Sequence, residues 1–156
     1  MADHTSGRPL DHRNADAVRA AARLAKVAGT ALGEADLTLA QYRVLVFLDA
    51  TDRPATHVAG LLGVTPSTVT SVVDGLTQRN LVERRADPSD RRRVMLSLTD
   101  DGRRMLVRGD DVVGERLGGL LQRLEPAEAE QVLAGLEHLN RAMESFLAEK
   151  FGGAAP

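Results

Sequence analysis

The stretch Ala55-Thr-His-Val-Ala-Gly-Leu-Leu-Gly-Val-Thr-Pro-Ser-Thr-Val-Thr-Ser-Val-Val-Asp-Gly-Leu76 decides the fold. Val58, Leu62, Val64, Val69 and Val72 fall where two short helices, crossing steeply over a turn of about three to four residues, bury a shared face. Ala59 is small where the helices come closest, and Gly63 stands where the chain turns sharply. Thr56 is read as the cap of the first helix, which runs through Leu62 and ends at Gly63. Thr65 and Pro66 form a strong helix start: a hydroxyl cap, then proline at the first helical position, where no N–H is needed. The second helix is expected over about 65–79, and Asn80 tolerates the left-handed conformation that ends it. Any two packed helices share an apolar stripe. The joint fit of Ala59, Gly63, Val64 and the Thr65-Pro66 cap points further, to a helix-turn-helix.

Just downstream the apolar period falls from about 3.6 to about 2. Leu81–Arg85 and Val94–Leu98 read as short strands around the turn Asp87-Pro-Ser-Asp90, so a hairpin, or wing, follows the second helix. Residues 79–93 carry six arginines (79, 84, 85, 91, 92, 93) against Glu83, Asp87 and Asp90, a local charge of +3. Three consecutive arginines on a solvent-facing hairpin repel one another unless an anion lies alongside. The wing therefore reads as a phosphate and minor-groove contact. On the second helix Val69, Val72, Val73 and Leu76 face inward, which turns Ser67, Thr68, Thr70 and Ser71 toward a DNA groove. Asp74 is expected to pair with a nearby arginine, since DNA would repel it.

Farther out, Asn14–Leu32 is an alanine-rich helix with Val18, Ala21, Ala25, Ala28 and Leu32 at helical spacing, and Gly33 is its expected C-terminal cap. Thr38 can cap a helix running to about Ala50, and Thr51–Pro54 reads as a turn. Thr99-Asp100-Asp101 places a cap and two acids at a helix N-terminus, where the helix dipole favours them. That helix carries Met105, Val112, Leu117, Leu120, Leu121 and Leu124; Pro126 opens a last helix striped by Val132, Leu136, Leu139, Met143 and Phe146. The expected fold is mainly α with a small β-hairpin wing: a winged helix-turn-helix plus N- and C-terminal dimerisation helices. Its parts are a flexible arm (1–12), an N-terminal dimerisation helix (13–37), the DNA-binding lobe (38–99, wing about 81–98), C-terminal dimerisation helices (100–150) and a flexible tail (151–156). A lobe of this size covers its own core but not three further striped helices, and the obvious partner is a second copy. Gly118-Gly119 costs roughly 1 kcal/mol per glycine relative to alanine, which a close backbone approach or a bend explains as well as plain tolerance does.

Composition sets the exclusions. The chain has 156 residues and no cysteine, so disulfides, thiolate metal sites, cysteine nucleophiles and thiol oxidation sensing are ruled out. The net charge of −2 does not by itself suggest a nucleic-acid binder; the charge is segregated, with the basic wing set against residues 125–150, at −4. The polar start lacks the apolar core of a secretory signal, and no apolar run approaches the ~20 residues of a membrane helix, so a cytoplasmic protein is expected. Eighteen of the twenty basic residues are arginine, an association with GC-rich coding. His4, His12, His57 and His138 stand apart from one another, and no GxSxG, Gly-rich phosphate loop or HExxH occurs. No enzyme, cofactor or metal is expected.

With these residues in view the sequence resembles the MarR (multiple antibiotic resistance regulator) family of winged-helix transcription factors. The stretch Asp87-Pro-Ser-Asp-Arg-Arg-Arg-Val-Met-Leu-Ser-Leu-Thr-Asp-Asp-Gly102 is similar to the family's wing and the entry to its next helix, and Thr65–Leu76 to its recognition helix. The resemblance implies a bacterial homodimer that binds a pseudo-palindromic operator, usually represses, and often releases double-stranded DNA when a small-molecule effector binds. It further implies that Asp90 holds Arg92 for the minor groove, with Arg91 and Arg93 as phosphate or structural partners. Thr65, Ser67, Thr68, Thr70, Ser71 and Arg79 are the matching recognition-helix residues, and Tyr42, Arg43 and Phe47 lie near the expected effector cleft. For the two aromatics, core packing is the stronger reading. Family members often carry basic residues where Ser71 and Gly75 stand, so discrimination leans on the wing and on DNA shape. That departure also motivates a second reading, a winged-helix protein-interaction module without sequence-specific DNA binding.

Overall fold

The computed structural model describes residues 14–87 and 93–151. Six helices and three short strands follow in the order α1 (Ala15–Glu34), α2 (Leu39–Asp49), β1 (Arg53–Pro54), α3 (Ala55–Leu62), α4 (Pro66–Gln78), β2 (Val82–Ala86), β3 (Val94–Leu98), α5 (Asp100–Leu121) and α6 (Pro126–Phe151). This is the mainly α winged helix-turn-helix with flanking helices.

Three helix starts are set by threonine. Thr38 accepts from the Gln41 amide while the Gln41 side chain accepts from the Thr38 N–H, a full capping box. Thr65 accepts from Thr68 N at 3.3 Å ahead of Pro66, and Thr99 from Gly102 N at 2.9 Å. Thr56 is not a cap: the helix begins at Ala55, two residues earlier than a Thr56 cap would place it, with Pro54 at the cap position. The reason is tertiary. Residues 53–54, read as part of a turn, instead add an edge strand to the hairpin, giving an antiparallel sheet of order β1-β3-β2 with Arg53 opposite Leu96. Proline is tolerated at such an edge because it need not donate to the ladder. Arg53 is buried, its Nε donating to the Phe47 carbonyl at 2.8 Å.

Three helices end in the same left-handed corner. In each, the N–H after the left-handed residue returns to the carbonyl five positions back: Val64 to Ala59, Leu81 to Leu76, and Leu37 to Leu32. Gly63 (φ 67°) and Asn80 (φ 57°) stand at the corners where they are expected. The α1 corner is displaced. Helix α1 continues through Gly33, and Asp36 (φ 53°) takes the left-handed position. Leu32 and Leu37, which bracket this corner, are both buried, so the core selects the register that a glycine alone would have set elsewhere.

The core joins the faces of α2, α3 and α4 to the sheet and to the end of α1, with Leu32, Leu45, Leu48, Val58, Val69, Val73, Leu76 and Leu96 almost fully buried. Val72 is half-buried against it. The register of the hairpin runs from Val82 opposite Leu98 to Ala86 opposite Val94. Helix α5 then packs its first turn on the end of α4. A Cβ built at Gly102 would lie 2.1 Å from the Leu81 carbonyl oxygen and 2.8 Å from Leu98 Cδ1.

The flanking helices are covered far less. Val18 on α1, Leu120 on α5 and Val132, Leu139, Met143 and Phe146 on α6 remain exposed; Leu124 in the α5–α6 loop does too. Gly118 and Gly119 lie in uninterrupted helix, and a Cβ at either meets nothing within 4 Å. Among the described residues no helix is long and apolar enough to cross a membrane.

Because the obstacle at Gly102 is backbone, Gly102→Ala is expected to destabilise the chain by about 1–3 kcal/mol, read as a lowered midpoint in urea unfolding at unchanged slope.

Candidate nucleic-acid interface

Helix α4 divides cleanly. Val69, Val73 and Leu76 point into the core, leaving Thr65, Ser67, Thr68, Thr70 and Ser71 exposed on one contiguous face. Their hydroxyls are mutually engaged. Thr65 Oγ1 lies 2.9 Å from both Ser67 Oγ and Thr68 Oγ1, while Thr70 donates to the Pro66 carbonyl at 3.0 Å and Ser71 to the Ser67 carbonyl at 3.3 Å. A hydroxyl that donates inward keeps its lone pairs outward. Thr70 and Ser71 therefore present acceptors, suited to the exocyclic amines of adenine and cytosine. The N-terminus of α4 adds the positive end of the helix dipole to this face.

The wing is tied to that helix by charge. Arg84 on β2 donates to Asp74 on α4 at 2.6 Å, the pairing expected for Asp74. Both groups are partly exposed, so the bridge contributes at most about 1 kcal/mol and matters more for orientation. Arg85 pairs with Glu83 on the same strand. Asp87 N donates to the Arg93 carbonyl at 3.1 Å, carrying the ladder one step toward the tip, and Arg93 is exposed. Asp90, Arg91 and Arg92 lie outside the described residues.

Arg79 sits at the opposite end of α4, its Nη1 donating to the Asp36 carbonyl at 2.7 Å. The three residues near the expected effector cleft are not gathered around one cavity. Phe47 is buried in the core; Arg43 is exposed, 5.8 Å above the Phe47 ring, and reaches the Leu61 carbonyl at 3.3 Å. Tyr42 turns the other way, with its ring over Gly109 and its hydroxyl donating to Asp110 at 2.6 Å. Burial first, then the hydrogen bond to Asp110 and its negative charge, raise the Tyr42 pKa above the usual phenol value. His57 on α3 is shifted down by burial and by the charge of Arg53. A shallow polar groove of about 530 Å³ opens elsewhere, between Asn80, Glu83, Arg85 and the first turn of α5. No cluster of three metal-ligating side chains occurs among the described residues. Sequence reasoning missed the ties at the rear of α4, from Arg79 to Asp36 and from Asn80 to Asp101. Only the left-handed potential of Asn80 hinted at them.

A helix-turn-helix with an arginine-rich wing and a hydroxyl-lined outer helix face defines the class of DNA-binding winged-helix proteins. The comparisons carry it to the family. The MarR family profile matches residues 35–93. The uncharacterized HTH-type transcriptional regulator YhbI of Bacillus subtilis is 30% identical over 103 residues, covering 64% of this chain and 67% of that protein. The transcriptional repressor CouR, solved bound to a 23-mer DNA duplex, is 30% identical with a TM-score of 0.66, covering 85% of this chain and 99% of the other. MarR of E. coli in its apo form superposes with a TM-score of 0.73 at 21% identity, over 85% of this chain and 98% of that one, a likeness of fold. The chain belongs to the MarR family of DNA-binding transcriptional regulators, a family of regulators and not of enzymes.

Tyr42 is the chain's single tyrosine, so phenolate absorbance titrates it alone. Its midpoint is expected above the ~10 of a free phenol and to return there in denaturant. The stability this shift represents is present in full below the unfolded value and is lost as pH rises through the folded one.

Proposed function

We propose that the chain is a homodimeric repressor that binds a pseudo-palindromic operator and is released by a small-molecule effector. The observation that carries the dimer is the apolar stripe of α6, where Val132, Leu139, Met143 and Phe146 stand exposed on a single protomer. Burying such side chains is worth about 1.5–3 kcal/mol each, and a two-fold axis covers both copies at once. Two α4 helices then enter successive major grooves about 34–36 Å apart. In this reading Thr65, Ser67, Thr68, Thr70 and Ser71 meet base edges and phosphates. Arg92, steadied by Asp90, enters the minor groove, while Arg91 and Arg93 hold phosphates. A carboxylate two residues away reduces the rotamer freedom that a guanidinium loses on binding.

The effector is the finer part of the reading. CouR of Rhodococcus jostii has been solved with p-coumaroyl-CoA, and Mycobacterium tuberculosis Rv2887 with p-aminosalicylic acid. Their similarity to this chain, at 27% identity each, supports a carboxylated or thioester-linked aromatic class of effector.

Titration of labelled duplexes from the intergenic DNA beside the gene tests the core proposal. The logarithm of the binding constant should fall linearly with that of salt, with a slope of about −0.9 per phosphate contact. Arg92→Ala should cost about 1–3 kcal/mol of binding with the dimer intact. A flat salt response, with no preference for duplex over a competitor polyanion, would instead favour a protein-interaction module, the reading that the uncharged outer face of α4 supports.

Leu139→Asp with Met143→Asp should shift the protein to a monomer in sedimentation. DNA affinity should fall with it, because each half-site is then bound alone.

A further inference from the structure

We propose that Arg79 is a positioning residue: it fastens the rear of the recognition helix to the end of α1, so that the flanking helices set the angle at which Thr65–Ser71 meet DNA. The inference rests on the reading of α4 as the DNA-reading helix.

The tie joins two unusual corners. Asp36 and Asn80 are the non-glycine residues with positive φ among those described, at 53° and 57°. Arg79 immediately precedes Asn80, and its guanidinium donates to the Asp36 carbonyl at 2.7 Å across 43 residues of chain. Helix α1 has no basic residue in its last turn to meet its own C-terminal dipole. Cations from elsewhere gather there instead. Arg79 comes from α4; from α5, Arg116 pairs with the Glu34 carboxylate and Arg108 reaches the Glu34 carbonyl at 3.4 Å.

The other side of the Asn80 corner is held just as directly. Asn80 Nδ2 donates to Asp101 at 2.8 Å, Thr99 Oγ1 donates to the Asn80 carbonyl at 2.6 Å, and Thr99 N to the Leu81 carbonyl at 3.2 Å. The rear of α4 is thereby gripped between the end of α1 and the start of α5, while its front carries the exposed hydroxyls. Arg79 lies thirteen residues beyond Pro66 in sequence, about 20 Å along a helix at 1.5 Å per residue. It faces α1 rather than the hydroxyl-bearing end.

The two roles open to an exposed arginine at this place give different salt behaviour. A phosphate contact contributes about 0.9 to the slope of log K against log salt, whereas a positioning residue contributes none. The experiment uses the full chain, a labelled duplex from the flanking intergenic DNA, and Arg79→Ala with Arg79→Met, which keeps the aliphatic stem but no donor. For both variants we expect affinity to fall ten-fold or more at an unchanged salt slope. Amide exchange should also quicken across residues 76–81, with α6 unaffected. A slope reduced by about 0.9 makes Arg79 a phosphate contact and overturns the proposal. Unchanged affinity overturns it too, even with faster exchange, because the tie would then only brace the fold. Should the parent protein show no salt-dependent duplex binding, it is the DNA-reading role that fails. Amide exchange still reads the tie itself, and unaltered exchange at 76–81 rejects it.

Discussion

Burial of Val69, Val73 and Leu76 on one side of a thirteen-residue helix is the constraint on which the rest of the structure depends. Each such side chain is worth about 1.5–3 kcal/mol on leaving water, against about 1 kcal/mol for a net hydrogen bond. The core therefore decides the rotation of α4 about its axis. The hydroxyls of Ser67, Thr68, Thr70 and Ser71 are left to the outer face as a consequence. Their internal bonds to Thr65, Pro66 and Ser67 satisfy the face without water, but they do not choose it.

Charge is distributed by a different logic. Of the arginines between 79 and 93, Arg84 and Arg85 are engaged by Asp74 and Glu83, and Arg79 by a carbonyl. These are exposed pairs of small energetic weight, yet they assign the basic residues at the base of the wing to structure. The run Arg91-Arg92-Arg93 then supplies the wing's cationic character. A chain with a net charge of −2 can approach a polyanion through such a segment because charges farther apart than about 8 Å are largely screened at physiological salt.

Much of this was legible in the sequence wherever the cause is local. Thr38, Thr65 and Thr99 cap the helices they precede because a hydroxyl, a following acceptor or a proline acts within four residues. Gly63 and Asn80 take left-handed corners for equally local reasons. The misreadings at the end of α1 and at residues 53–54 have distant causes, whereas Val64, read as part of the shared helix face, is exposed. Asp36 displaces Gly33 at the end of α1 because Leu32 and Leu37 must both reach the core. Residues 53–54 become a strand because Leu96 offers a ladder partner more than forty residues away, and the burial of Arg53 is invisible in its charge. At the site, inward and outward positions of α4 followed from period alone. The separate surroundings of Tyr42, Arg43 and Phe47 depend on α3 and α5 and did not.

The two ends of α4 thus answer to different parts of the molecule, and their separation gives the rear end leverage. Over roughly 20 Å of helix, a tilt of about 5° at the Asn80 corner carries the front by nearly 2 Å. Hydrogen bonds tolerate only about 0.5 Å between 2.7 and 3.2 Å, so a tilt of that size is enough to unmake direct base contacts. The Asn80 corner is bonded on one side to the end of α1 and on the other to the start of α5. Both helices belong to the poorly covered periphery that a second copy would bury. A change in the packing of α1 against α5 would reach α4 through bonds that do not touch its hydroxyl-bearing face. A reading helix gripped by its far end would let DNA affinity change with no change in the contacting side chains.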